Sequence, residues 1–180
     1  MKATGIVRRI DDLGRVVIPK EIRRTMRIRE GDPLEIYTSR DGEVIFKKYS
    51  LMGGVEDFAA QLCETMSRST GSICAVTDRD TVIAVAGGGK RELMGKRITD
   101  QLEQIMDCRR IYQYTGERPP VPVTDSSDKL TVSVAAPILA EGDLLGLVLF
   151  ISGTPEALTG DAEFKLAQTI AAFLGRHMEA

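Results

Sequence analysis

Arginine is the residue whose placement carries the most chemistry in this 180-residue chain. Arg8-Arg9, Arg15 and Arg23-Arg24 recur along the first 25 residues instead of forming one block. A guanidinium is a planar fork that grips a phosphate, or the O6/N7 edge of guanine, through two parallel hydrogen bonds. Guanidinium sets repeated about a two-fold axis suit duplex DNA, whose phosphates and grooves recur at a fixed period. Arg9, Lys20, Arg27 and Arg29 are further candidates for phosphate contact. Asp11, Asp12 and Glu21 lie among these cations, where they either orient arginines by ion pairing or keep the patch soluble.

The other reactive residues are sparse. Three cysteines, Cys63, Cys74 and Cys108, are odd in number and far apart. That argues against a disulfide framework and fits a reducing cytosol. Cys63 lies beside a helix stripe and Cys74 inside a strand, the places of small buried hydrophobes. Cys108 precedes Arg109-Arg110, a setting for thiolate character. The single histidine, His177, falls on the last helix as a packing or C-terminal residue. Gly87-Gly88-Gly89-Lys90 lacks the GxxxxGK[ST] spacing of a phosphate loop and reads as a connector. No nucleophile–base pair or metal cluster stands out. The expected mechanism is therefore binding, with no catalytic residue, no metal and no cofactor.

Two modules must position these residues. Hydrophobic residues make up 43% of the chain and charged residues 28%, with a net charge of −2, so the chain is foldable and not disordered. No run approaches ~20 apolar residues, which excludes a membrane helix. Met1 to Gly5 lacks the apolar run of a signal peptide, and a cytoplasmic location is expected. The average charge hides an asymmetry. Residues 1–48 hold twelve Lys/Arg against eight Asp/Glu, a net of +4, and the remainder carries −6. A basic head on an acidic body points the head at a polyanion.

The expected head spans residues 1–49. Gly5 to Ile10 is a strand candidate, Asp11 to Gly14 a turn, and Arg15 to Ile18 a β-branched strand. Pro19 opens a helix from Lys20 to about Arg27. Leu34 to Thr38 and Val44 to Lys47 form a hairpin about Asp41-Gly42. A monomer of about 50 residues with no disulfide or metal buries too little surface to be stable alone. The head should be an obligate dimer with strands exchanged between chains.

Residues 50–54, with Gly53-Gly54, read as a linker to a body over 55–180. Val55, Phe58, Ala59, Leu62 and Met66 follow one helical stripe that ends at Thr70-Gly71. Strands are expected over Ile73–Thr77, Thr81–Ala86 and Ile111–Thr115. A hairpin is expected from Thr131–Leu139 and Leu144–Ser152 about Glu141-Gly142-Asp143. Thr99 should cap a helix carrying Leu102, Ile105 and Met106, and Thr159 the final helix. On that final helix Leu166, Ile170, Phe173, Leu174 and His177 lie on one stripe, which belongs either to the core or to a bundle with a second copy. Leu144 to Ile151 is apolar on both faces, which requires a central, covered strand. The order gives an α+β module, an antiparallel sheet flanked by helices.

The order Gly5-Ile6-Val7-Arg8, Leu13-Gly14-Arg15-Val16-Val17-Ile18-Pro19, Glu21 to Thr25 and Gly31-Asp32-Pro33-Leu34-Glu35-Ile36 closely resembles the AbrB family of bacterial transition-state regulators, from about Lys2 to Tyr49. The resemblance implies a swapped-hairpin, barrel-like dimer that binds double-stranded DNA. The family's DNA-contacting arginines fall on Arg8, Arg15, Arg23 and Arg24. Met26 replaces the usual leucine, a mild core change. With its body, the chain is similar to sporulation regulators of spore-forming Firmicutes, whose body resembles a GAF domain. That implies activation of some forespore genes and repression of others. It also implies a body that oligomerises, as a tetramer through its terminal helices, or senses a small effector. Two alternatives stand beside this. MazE-like antitoxins share the swapped-hairpin head but end in a short disordered tail. A thiol-dependent GAF-fold enzyme or redox sensor would rest on the cysteines alone.

Overall fold

The computed structural model describes residues 4–154 and 159–179; the first three residues of the expected head lie outside them. The chain divides after Tyr49 into two compact units, residues 1–49 and 50–180.

In the first unit, α1 (Lys20–Thr25) follows Pro19, and β1 (Leu34–Thr38) pairs antiparallel with β2 (Val44–Lys48). The β-hairpin turns at Gly42, whose φ of 80° only glycine adopts without strain. The helix stops two residues short of expectation, and the cause is local. The N–H of Ile28 donates to the carbonyl of Arg23, and that of Arg27 to Arg24, with Arg27 at φ 49°. This double bond pattern with a left-handed residue closes a helix by itself. The expected strands over Gly5–Ile10 and Arg15–Ile18 are a correction, because neither segment is a strand in the single chain. The turn between them does form. The N–H of Asp11 donates to the Arg15 carbonyl at 3.0 Å and that of Gly14 to Asp11 at 2.9 Å. Beyond the turn, the backbone finds no ladder partner among the described residues. The head's only sheet among the described residues is β1–β2, so no barrel closes within one chain.

The second unit starts with the expected linker residues, which count with the body: Met52 is buried in its core. Helix α2 (Glu56–Thr70) ends on Gly71 in the left-handed conformation. Then come β3 (Ile73–Thr77), β4 (Val82–Ala86), a short α3 (Lys90–Leu93), α4 (Asp100–Asp107), β5 (Tyr112–Gln113), β6 (Thr131–Ala140), β7 (Asp143–Ser152) and α5 (Asp161–Met178). One antiparallel sheet runs in the order β4-β3-β7-β6-β5. The two-faced apolar strand β7 is central, as its composition requires. Helices α2 and α5 cover one face, over Val76, Val148 and Phe150. Helices α3 and α4 cover the other, over Ala75, Leu147 and Leu149. Thr99 caps α4 by accepting the N–H of Leu102 at 3.2 Å.

Three expectations for the body are corrected. Ile111–Thr115 shrinks to the two residues of β5. Lys90–Leu93 forms a helical turn that the connector reading did not foresee. Gly160, not Thr159, holds the N-cap position of α5, and the Thr159 hydroxyl makes no hydrogen bond. Of the two readings left open for the apolar stripe of α5, ordinary core holds for Leu174 alone among the fully buried residues, since the face on the sheet is rotated from that stripe. Ala167, Ala171, Leu174 and Gly175 are buried, while Phe173 is 49% exposed. The cause is close approach. A Cβ at position 175 would collide with the Leu139 carbonyl, so a small-residue face lets α5 lie directly on β6.

Candidate nucleic-acid interface

The candidate DNA-contacting residues sit on three local structures of the head. Arg8 and Arg9 lie on the extended segment before the turn, Arg15 just after it, and Lys20, Arg23 and Arg24 on α1. All six are exposed. Pro19 pre-sets φ for the first turn of α1, and Ile22 on the opposite side of that helix is half-buried, which leaves Arg23 and Arg24 outward. Among the described residues, no hydrogen bond or ion pair within the chain engages the side chains of Arg8, Arg9, Lys20, Arg23 or Arg24. Their donors are available to a ligand.

Arg15 is held differently. Its Nε donates to Asp11 Oδ2 at 2.8 Å, and its backbone N–H donates to Asp11 Oδ1 at 2.8 Å. The N–H of Leu13 also donates to Asp11 Oδ1, at 3.0 Å. The Arg15 N–H, then its guanidinium, hold the Asp11 carboxyl below the usual carboxylate range. Asp11 thus belongs to the group of acids that orient a cation. It fixes the turn and the Arg15 side chain together, while the outer guanidinium nitrogens stay in water.

Arg27 and Arg29 differ from the rest, being half-buried where the chain leaves α1. The Arg27 carbonyl accepts Lys48 Nζ at 2.9 Å, and Asp32 accepts the Arg29 N–H at 2.8 Å. Lys48 Nζ also lies 3.7 Å from Asp32 Oδ2. Asp32 and Lys48 organise this elbow, yet sequence spacing did not single them out because the hairpin brings them together from 16 residues apart. Within one chain no hydrogen bond or ion pair joins the three arginine groups among the described residues.

Two of the cysteines are small buried hydrophobes. Cys63 on α2 and Cys74 on β3 are buried in one core cluster, and burial pushes each thiol up to about 12. Neither has the thiolate that a nucleophile needs. Cys108 is exposed at the end of α4. His177 packs its ring on Phe58, centroids 4.8 Å apart.

Residues 54–179 match the family described as stage V sporulation protein T C-terminal, transcription factor, and residues 7–51 match the MazE antitoxin family. Over 179 residues, 99% of both chains, the sequence is 47% identical to stage V sporulation protein T of Bacillus subtilis strain 168. Its first part is 63% identical over 49 residues to the transition state regulatory protein AbrB of the same strain, covering 27% of this chain and 50% of that one. The body shares its fold with the GAF domain/HD domain protein of Geobacter sulfurreducens, at TM-score 0.50 and 15% identity, over 69% of this chain and 91% of that one. An AbrB-type head joined to a GAF-type body defines the class: a transcription factor. The chain belongs to the stage V sporulation protein T family.

Proposed function

We propose that this protein binds double-stranded DNA through Arg8, Arg15, Arg23 and Arg24 of a swapped head dimer. Arg9 and Lys20 assist at phosphates, and Arg27 shapes the elbow behind them. The observation that carries the dimer is the head's lack of a core. Among residues 4–49 only Pro19 is buried. Ile6, Val7, Ile10, Leu13, Val16 and Val17 are 41–89% exposed. A second copy gives these β-branched segments both a hydrophobic cover and the missing ladder partners, and it doubles the arginine set about a two-fold axis. Asp11 pre-orients Arg15, which lowers the ordering cost of its contact.

The body joins head dimers into a tetramer through α2 and α5, where Phe58, Phe173 and His177 form an aromatic surface. Linking two heads raises the effective concentration of the second on DNA. The body also senses a small ligand. In the cell the protein regulates forespore genes from the cytoplasm, some up and some down. An antitoxin role is disfavoured because the chain beyond the head folds around its own core instead of offering a disordered tail.

The test is DNA affinity of Arg15→Ala, Arg23→Ala and Arg24→Ala by gel shift at fixed salt. Each should weaken binding by ~1–3 kcal/mol per lost contact, felt twice in a dimer, with the fold intact. Unchanged affinity in all three would refute the interface.

A further inference from the structure

We propose that the cavity between β6 and α5 binds a small carboxylate with an apolar body. This deepens the ligand-sensing role proposed for the body and rests on it. The cavity measures about 440 Å³, within the range of small-molecule sites. Ile111, Ala136, Ala171 and Ala172 give it an apolar lining, while Arg109 and Arg176 bring guanidiniums to it.

The fold leaves this space open for a reason. β5 is two residues long and pairs with Val134 and Ala135, so among the described residues β6 has no outer strand from Ala136 onward. An open edge ordinarily invites another strand. Here Pro137 sits on that edge, and proline on an edge strand turns a nitrogen without a donor outward. The edge therefore suits a compact ligand better than an added peptide strand.

Two features point to an anion. Arg109 follows α4 at φ 53°, a left-handed position where glycine is the usual choice. Its Nη1 donates to the Gly142 carbonyl at 2.8 Å, which anchors the head group beside the cavity and leaves its other donors for a ligand. Arg176 lies on the cavity side of α5, and its side chain has no partner among the described residues. Glu179, the acid in the lining, already accepts the Glu141 N–H at 2.9 Å. Two guanidiniums against one carboxylate leave a surplus of a single positive charge. That matches one carboxylate and not a phosphate dianion. A carboxylate between two arginine forks makes charge-assisted bonds, and the alanine and isoleucine surface takes the hydrocarbon.

The test uses full-length protein carrying methyl labels on alanine and isoleucine, titrated with 4-methylpentanoate and with its neutral amide. The expected result is saturable shifts of the Ile111, Ala136, Ala171 and Ala172 methyls with the acid and not with the amide. Arg176→Gln should weaken binding roughly tenfold or more, the loss of one charge-assisted contact. Arg109→Gly keeps the left-handed backbone but removes the guanidinium, so it should lose binding to the same degree while the body still melts cooperatively. Shifts confined to Ala75, Ile98 and Ile151, on the other face of the sheet, would overturn this site and leave ligand sensing standing. No shifts, or equal shifts with acid and amide, would overturn the carboxylate assignment. Cavity shifts that leave DNA affinity unchanged, read by fluorescence anisotropy with the acid present, would keep the site and refute the sensing role.

Discussion

A carboxylate placed in the head's proposed dimer seam should undo the head and leave the body folded. Val16 is the position to change. Strand alternation puts it on the face opposite Arg15, together with Ile18, and it is 47% exposed in the single chain. The six apolar residues around the first turn leave the equivalent of about four whole side chains in water. Covering them at ~1.5–3 kcal/mol each supplies roughly 6–12 kcal/mol per chain. This is enough to exceed an association cost of ~4–15 kcal/mol once both chains contribute. Val16→Asp removes about 1 kcal/mol of that burial per chain and adds an unpaired, desolvated carboxylate costing several kcal/mol. The two-fold axis doubles both losses, for a total of ~6 kcal/mol or more, about 10⁴-fold in the dimer dissociation constant. The assay is sedimentation and circular dichroism of residues 1–53 and of the full chain. The unaltered fragment should sediment as a folded dimer and the variant as an unfolded monomer. In the full chain, Val16→Asp should abolish DNA binding while the body keeps its cooperative melting transition. A folded monomeric fragment, or a variant that still dimerises at micromolar concentration, would refute the exchange of strands.

Further outcomes are expected. DNA affinity should fall with salt at a slope of log K against log salt of up to roughly −7, since four arginines per chain neutralise at most about eight phosphates per head dimer. Each Arg→Ala change in the head should flatten that slope by about one or two units, while exchanging Asp and Glu of the body should leave it unchanged. Gly175→Ala should destabilise the body by ~1–3 kcal/mol, because the new Cβ meets the Leu139 carbonyl; an unchanged melting temperature would contradict the close approach of α5. Maleimide at pH 8 should modify one thiol per native chain, Cys108, and three after denaturation. Cys63 and Cys74 have folded pKa values of about 12 against an ordinary 9.0, so the unfolded chain holds fewer protons above pH 9. Stability should therefore be intact below about pH 9 and decline from there toward pH 12. Chemical denaturation across that range, compared with a Cys63→Ala/Cys74→Ala variant, measures the thiol share.

Much of this protein was legible in one dimension because its signals are local. Gly14, Gly42 and Gly71 mark turns and a helix end through a backbone region that other residues avoid, and Thr99 caps α4 with an atom three residues from its partner. Leu144 to Ile151 declared a central strand by being apolar on both faces. The arginine pattern of the head is likewise contained in about 20 consecutive residues. Tertiary structure decided the rest, where the deciding atoms lie far apart in sequence. Periodicity finds the apolar stripe of α5 but not which residues touch the sheet. Gly175 took its place there because the Leu139 carbonyl lies against it, and Ala167 and Ala171 are buried on the same side. Thr159 has the residue type of a cap, yet the chain enters α5 one residue later. Gly5–Ile10 and Arg15–Ile18 have strand composition without strand structure, because a ladder needs a second backbone and composition says nothing of where it comes from. Arg109 and Arg176 stand 67 positions apart, and only the lay of α5 along the open edge of β6 brings both to one cavity.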